Sequence, residues 1–146
     1  MSAKEVPMHL SHKPVVVCDY QELNKRAGNF DSPDSKFISV GHAQWNQNDL
    51  SVKIFRKGGS GRWSAQSEEV PAWRLPYMLV MLLETMIRLQ QSDKEIQGGV
   101  GAEVVVPEDI DFVQSAIKEY AIPLQDGLKR VKDLLDKIDL GNLGSL

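Results

Sequence analysis

The sequence VPAWRLPYMLVMLLETMIRLQQ, residues 70–91, contains the longest apolar run in the chain. Between residues 77 and 83 the tyrosine hydroxyl is the only polar side-chain group, so a helix here would be apolar on every face. Such a helix is normally enclosed by protein or spans a membrane. A span needs about 20 predominantly apolar residues, and Arg74, Glu84 and Arg88 interrupt this run. The pattern therefore predicts a central buried helix and no membrane association.

The start of this helix has two interpretations. Pro71 suits a first helical position, with Glu68 and Glu69 where negative charge favours the positive end of the helix dipole. Pro76 would then remove a backbone hydrogen bond in the second turn and kink the helix. Alternatively, the helix begins at Pro76 and the residues before it form a separate turn. The three methionines of the helix suit either an irregularly filled core or a methionine-lined groove for a partner.

Three β-strands are predicted before the helix. Residues 13–20, KPVVVCDY, contain a β-branched run, in which Cys18 is expected to be an inert buried thiol. Residues 37–45 and 50–57, FISVGHAQW and LSVKIFRK, flank the turn sequence NQND and are predicted to form an antiparallel hairpin. Residues 62–66 can add a short fourth strand.

Two amphipathic helices are predicted after the central helix, the first beginning at Pro107 and the second near Pro123. The second has apolar residues at a spacing of 4, 3, 4, 3. This seam is about two heptads long, and it either packs on the domain or pairs with a second copy as a homodimer. The expected fold is a single α+β domain, residues 1–146. A small antiparallel sheet, made of the hairpin and a short N-terminal strand, packs on the central buried helix. Residues 1–12 are expected to form a loose arm.

Composition places the chain among ordinary globular proteins. Residues 1–74 carry 10 basic and 8 acidic side chains and residues 75–146 carry 7 and 12, so the net charge of −3 is only mildly divided. That division does not by itself imply nucleic-acid or membrane binding. Cys18 is the only cysteine, which excludes an intrachain disulfide. The N-terminus lacks the apolar core of a signal peptide, and a cytoplasmic location is expected.

A candidate ligand site lies at the hairpin tip and the helix entrance. All three tryptophans fall in this stretch of the chain, together with arginines and acids. Aromatic side chains with a few convergent polar groups are typical of a ligand site, although a small core uses the same residue types. If the hairpin packs near the helix start, one concave surface would be lined by Gln44, Trp45, Arg62, Trp63, Gln66, Glu68, Glu69, Trp73 and Arg74. The leading hypothesis is a non-enzymatic binding or protein-interaction module that uses this site.

A second hypothesis is nucleic-acid contact through a basic stretch. Lys53, Arg56, Lys57 and Arg62 precede the next acid and surround a glycine-rich turn with a tryptophan beside it. An aromatic among basic side chains can stack on a base or lie near phosphate. A solvated hairpin turn explains the same residues. The sequence GGSGRW lacks the Lys-Ser/Thr ending of a phosphate-binding P-loop.

Enzymatic activity is left open by the sequence. Glu68 or Glu69 could serve a hydrolase as a general acid or base if one were buried, but adjacent acids before a helix also suit its dipole. His9, His12 and His42 do not complete a zinc site with the spacing of any cysteine or acid. We therefore predict no metal, no cofactor and no assignable catalytic group.

The motifs AQWN, residues 43–46, and RWSAQSEEVP, residues 62–71, resemble a family of short bacterial proteins classed only as a domain of unknown function. The likeness covers roughly residues 8–92 and does not include the C-terminal helices. The family implies no established activity. It draws attention to the same tryptophans, arginines and acids as the candidate ligand site without giving them a mechanism.

Overall fold

An antiparallel sheet of four strands organises the first half of the protein. The structure is a computed structural model that describes residues 5–91 and 96–146. The sheet has the order β1-β2-β3-β4, and each strand is antiparallel to its neighbour. The strands are β1 (Lys13–Asp19), β2 (Ser35–His42), β3 (Leu50–Arg56) and β4 (Glu69–Pro71).

Helices supply the rest of the fold and confirm the α+β class. Helix α1 (Tyr20–Arg26) connects β1 to β2 and is capped by Asp19, whose carboxylate accepts hydrogen bonds from the backbone N–H groups of Gln21 and Glu22. The later helices are α2 (Leu75–Gln91), α3 (Ile110–Glu119) and α4 (Ala121–Leu135), and 3-10 turns lie at Ala72–Arg74, Pro107–Asp109 and Leu140–Ser145. In the described part of the chain, no helix has the length and apolarity to cross a membrane.

The start of α2 agrees with the second interpretation of its prolines. Pro71 ends β4, a 3-10 turn follows, and the α-helix begins at Leu75, one residue before Pro76. Pro76 therefore lies in the first turn, where the missing N–H has no intrahelical partner to lose. The fourth strand lies at residues 69–71 and not at 62–66, where Trp63 makes only an isolated bridge with Lys57.

The prediction that α2 is buried is wrong for most of its length. Leu75, Tyr77, Met78, Met81 and Leu82 expose 41, 68, 53, 43 and 36% of their surfaces. Among the α2 residues whose burial is described, only Glu84 is buried. The apolar run indicated a helix enclosed by protein, but the hydrophobic core forms elsewhere.

The core lies on one face of the sheet, beneath the N-terminal segment. Phe37 of β2 and Phe55 of β3 are fully buried and pack with Val6 and Leu10. The expectation of a loose arm at residues 1–12 is therefore wrong for residues 5–12, because two fully buried rings need an apolar cover on that face. Residues 1–4 lie outside the described part of the chain.

Cys18 is exposed, contrary to the prediction of a buried thiol. Side chains alternate along β1, so Val17 points to the core face and Cys18 to the opposite face. An irregularity between Pro14 and Val16 sets this alternation. The apolar run of β1 thus supplies one core contact, while Val15 and Val16 stay exposed.

Candidate functional site

A buried polar network lies beside the aromatic core. Alternation in β2 and β3 puts Ser39, Ser51 and Lys53 on the core face, and β4 brings Glu69 opposite Lys53. His12 enters from the N-terminal segment. Its Nδ1 lies 2.9 Å from Ser51 Oγ and its Nε2 lies 2.9 Å from Ser39 Oγ.

Hydrogen bonding assigns the proton of His12. The Ser51 hydroxyl donates to Glu69 Oε2 at 2.9 Å, so its oxygen is left to accept from His12 Nδ1. Nε2 then accepts a hydrogen bond from the Ser39 hydroxyl group. Burial lowers the pKa of His12, and the negative charge of Glu69 opposes this shift only in part. The neutral imidazole protonated at Nδ1 fits both observations.

Lys53 and Glu69 form a buried ion pair within the same network. Each side chain is 1% exposed, and Lys53 Nζ lies 3.7 Å from Glu69 Oε1. Nζ also donates to the carbonyl of Ser67 at 3.1 Å, and Glu69 Oε2 accepts from the backbone N–H of Gln44 at 2.9 Å. Burial lowers the pKa of Lys53, and Glu69 counteracts that shift. A buried charge persists only when it is paired and hydrogen-bonded, as both are here.

Ser39, His12 and Glu69 have the order of a serine-hydrolase triad but not its accessibility. His12 Nδ1 lies 3.4 Å from Glu69 Oε2, and Nε2 faces a serine hydroxyl. The side chains of Ser39 and His12 are buried, and neither cleft described below is lined by the three residues. His12 also belongs to the segment that covers Ser39, so uncovering the serine would remove its base. We therefore interpret the network as a structural element.

The predicted ligand residues divide between the two ends of β3. Trp63 lies at one end, bridged to Lys57 and packed against Phe37 and Phe55. At the other end Pro71 pairs with Ser51. Lys57 lies six positions after Ser51 in the chain, about 20 Å away at roughly 3.3 Å per residue.

The end of β3 near Ser51 holds the remaining tryptophans. Trp45 is exposed and donates its Nε1–H to Asp49 at 2.9 Å. Trp73 is exposed on the 3-10 turn, next to the exposed Arg74. Gln44 and Gln66 are exposed as well. The nine residues therefore do not line one concave surface, and what any of them binds stays a prediction.

The basic stretch is largely neutralised within the protein. Lys53 is buried, so it cannot contact a nucleic acid, contrary to its place in the second hypothesis. Arg56 donates from Nε and Nη2 to Glu68, with bonds of 2.9 Å from each nitrogen. Lys57 Nζ lies 5.3 Å above the ring centroid of Trp63. Arg62 is the one member left exposed without a described partner.

Glu68 and Glu69 lack the environment of a general acid. The hydrogen bonds from Arg56 lower the pKa of Glu68, whereas acid catalysis near neutral pH needs a raised one. Glu69 is enclosed in the ion pair described above. In residues 5–91 and 96–146, no group of three His, Cys, Asp or Glu side chains could hold a metal ion.

An apolar cleft opens between α2 and the chain that follows it. Its volume is about 660 Å³, and α2 lines it with Met81, Thr85 and Leu89. Across the cleft lie residues 102–106 and two aliphatic side chains of α3. The exposed residues Leu75, Met78 and Leu82 extend this lining along the N-terminal half of α2, at positions i, i+3 and i+7. We call Leu75, Met78, Met81 and Leu82 the α2 stripe.

Glu84 holds the far wall of this cleft in place. Its carboxylate accepts backbone hydrogen bonds from Val100 at 2.7 Å and Ala102 at 3.1 Å, and Arg88 donates to it at 3.1 Å. Burial opposes the charged form, but these donors together keep the pKa of Glu84 below its ordinary value. A Cβ on Gly99 would lie 2.7 Å from the carboxylate. The methionines left a partner groove open as one of two interpretations, but nothing in the sequence indicated that Glu84 would hold the following chain in place.

A second cleft, of about 620 Å³, lies between α1 and α4. Phe30 and Tyr120 meet edge to face at its rim with centroids 5.3 Å apart. The Tyr20 hydroxyl donates to Asp31 at 2.6 Å, and burial together with this bond raises the pKa of Tyr20 to about 12. The polar residues of this cleft are thus already paired with one another, Tyr20 and Asn24 with Asp31 and Arg130 with Asp126. These pairs leave few free donors or acceptors for a ligand.

Comparison with known proteins gives one match. A family described as "Family of unknown function (DUF6530)" matches residues 4–98. That range contains the sheet and α2 but neither α3 nor α4. No curated protein and no solved structure matches the chain.

Proposed function

Because the chain belongs to this family of unknown function, we propose from its structure that it is a small, non-enzymatic protein-interaction module. Its binding surface is the α2 stripe with the adjoining cleft, in place of the tryptophan-lined surface expected from the sequence. The setting we propose is the cytoplasm of a bacterium, where a lone exposed cysteine such as Cys18 stays reduced.

The exposure of the α2 stripe carries this proposal. Its four apolar side chains are each at least 36% exposed along two turns of one helix face. Contiguous apolar patches of this kind mark interaction sites in soluble proteins. Met78 and Met81 suit a binding surface, because methionine adapts its shape to different contacts.

The geometry favours a partner segment that presents several apolar side chains in a row. Leu75, Met78 and Leu82 form a continuous apolar face at positions i, i+3 and i+7, and the cleft beside Met81 can receive one or two of the partner's larger side chains. The cleft walls are mainly aliphatic, with Arg88, Glu103 and Asp109 as charged neighbours that can select the partner's polar flank. Enzymatic activity and nucleic-acid binding have no comparable support, since the buried network is closed and the basic residues are mostly paired.

A photoreactive benzoylphenylalanine in place of Met78, in the full chain expressed in growing cells, tests the proposal. We expect adducts of discrete mass that disappear when Leu82→Asp is added, because a charge on the stripe is costly to bury. Val15 is 67% exposed on β1 and provides the control position. Equal adducts from Val15, or none from Met78, would contradict an interaction through α2.

A further inference from the structure

A second apolar surface projects from the C-terminal end of the chain. Every residue from 132 to 146 is exposed. The larger apolar side chains of this segment are 47–61% exposed, apart from the final leucine, and they are Leu134, Leu135, Ile138, Leu140 and Leu143. We call residues 132–146 the C-terminal segment. The C-terminal segment contains Leu135 and Ile138, the last two apolar residues of the 4, 3, 4, 3 spacing in the second predicted helix. The first three, Leu124, Leu128 and Val131, are half-buried within the chain.

The accessible surface of the chain is larger than that of a compact monomer, which supports a contact with a second molecule. A compact monomer of 16.3 kDa has an accessible surface of about 7,500 Å². The observed surface is 10600 Å². The excess of about 3,000 Å² exceeds the roughly 1,000–2,500 Å² that each subunit contributes to an obligate homodimer interface.

Charge favours contact between the two surfaces over contact of either surface with itself. Residues 70–91 carry two arginines and one glutamate, a net charge of +1, and residues 132–146 carry two lysines and three aspartates, a net charge of −1. Arg74, which directly precedes the α2 stripe, forms no ion pair with a described residue. The same holds for Asp133 and Asp136 of the C-terminal segment. Opposite signs steer association and disfavour like pairings.

We propose that the C-terminal segment of one copy docks on the α2 stripe of a second copy, and that the exchange is reciprocal. This inference rests on the proposed function and names the occupant of its surface. Within one chain the two surfaces do not meet, because both are exposed. A two-fold axis relating two copies makes each contact twice and leaves neither apolar surface free. The two identical contacts distinguish this arrangement from pairing of α2 with α2 or of C-terminal segment with C-terminal segment.

Complementation between two charge variants of the full chain tests the proposal. Sedimentation of the purified protein gives the dissociation constant of the dimer for wild type, Leu82→Asp and Leu135→Asp, each alone and the two variants mixed in equal amounts. We expect each variant alone to dissociate at least about 10- to 100-fold more readily, the effect of losing one well-buried leucine side chain. The mixed dimer keeps one intact contact and should be tighter than either variant alone. Val15→Asp, the matched control, should dimerise like wild type.

Each other outcome overturns the exchange in a recognisable way. If Leu135→Asp dimerises normally, the dimer forms through α2 alone; if Leu82→Asp does, it forms through the C-terminal segments alone. A wild-type monomer at high concentration excludes a second copy altogether. For such a monomer, adducts from position 78 whose mass is not that of two 16.3-kDa chains would support an interaction module with a different partner. A monomer that gives no adducts would reject both proposals.

Discussion

His12 Nε2 lies 2.9 Å from Ser39 Oγ, and both side chains are buried where the N-terminal segment meets the sheet. Ser51 and Glu69 complete the arrangement on the Nδ1 side, and Lys53 faces the same carboxylate. The bonds fasten residues 5–12 to three strands at once. We therefore expect substitutions in the polar network to change the free energy of unfolding.

Stability should rise with pH below neutrality because of His12. Its pKa in the folded protein is lowered by burial, whereas the unfolded chain binds a proton near the ordinary value of 6.5. Between the lowered pKa and 6.5 the unfolded state holds more protons, so acidification favours unfolding. Urea unfolding from pH 5 to 8 measures the slope. His12→Gln should flatten it while the exposed His9→Gln keeps it; an unchanged slope in His12→Gln would assign the effect elsewhere.

Lys53 and Glu69 should contribute non-additively to the free energy of unfolding. Lys53→Met leaves a buried carboxylate without its cation, and a loss of about 3–5 kcal/mol in the free energy of unfolding is expected. Lys53→Met with Glu69→Gln leaves no uncompensated charge and should lose less than the sum of the single variants. A double-mutant cycle by chemical denaturation gives the coupling. Additive losses would mean that the two side chains do not act as a pair.

Leu10 should matter to the free energy of unfolding and Met8 should not. Leu10 is buried against the aromatic core, and truncation to alanine is expected to cost about 2–4 kcal/mol through lost burial and a cavity. Met8, two residues away, is 62% exposed, and Met8→Ala should stay within about 0.5 kcal/mol of wild type. Thermal or urea unfolding compares them. Similar small effects for both would restore the loose arm predicted from the sequence.

Gly99→Ala should open the wall of the α2 cleft. The added methyl group would lie 2.7 Å from the Glu84 carboxylate, which is held by Val100 and Ala102 and cannot move without losing those bonds. We expect about 1–3 kcal/mol of destabilisation and faster hydrogen exchange at residues 100–102.

Gly127→Ala is the matched control, because a Cβ there meets no atom within 4 Å. In the helix interior it should stabilise the protein by about 0.5–1 kcal/mol. Equal destabilisation by the two substitutions would refute a specific clash at Gly99.

Local sequence signals predicted the elements well. The β-branched and alternating runs gave β1, β2 and β3 to within a few residues, the apolar run and the proline gave α2, and 3.6-residue periodicity gave α3 and α4. These elements follow from short-range rules of backbone geometry and amphipathicity, which a single sequence contains.

Long-range partners explain what the sequence did not predict. Alternation in β3 separates Val52 and Ile54 from Ser51 and Lys53, but it does not say which face is covered. The covered face is the more polar one, because His12 and Glu69 satisfy its serines and lysine and the aromatic pair supplies its apolar area. The placement of the candidate site residues has the same cause, since distance along β3 separates tryptophans that are close in sequence, while what these residues bind stays a prediction.

The attachment of His12 also sets the order in which the chain can fold. Its two serine partners lie 27 and 39 residues further along the sequence, and its carboxylate partner lies beyond both. Contacts of such long range are slow to form, because the loop must close before any of them is gained. During synthesis the N-terminal segment emerges first and must wait for β4. Until Ser39, Ser51 and Glu69 have all been made, the N-terminal segment lacks part of its attachment over Phe37 and Phe55, so the nascent chain is vulnerable to aggregation during this interval.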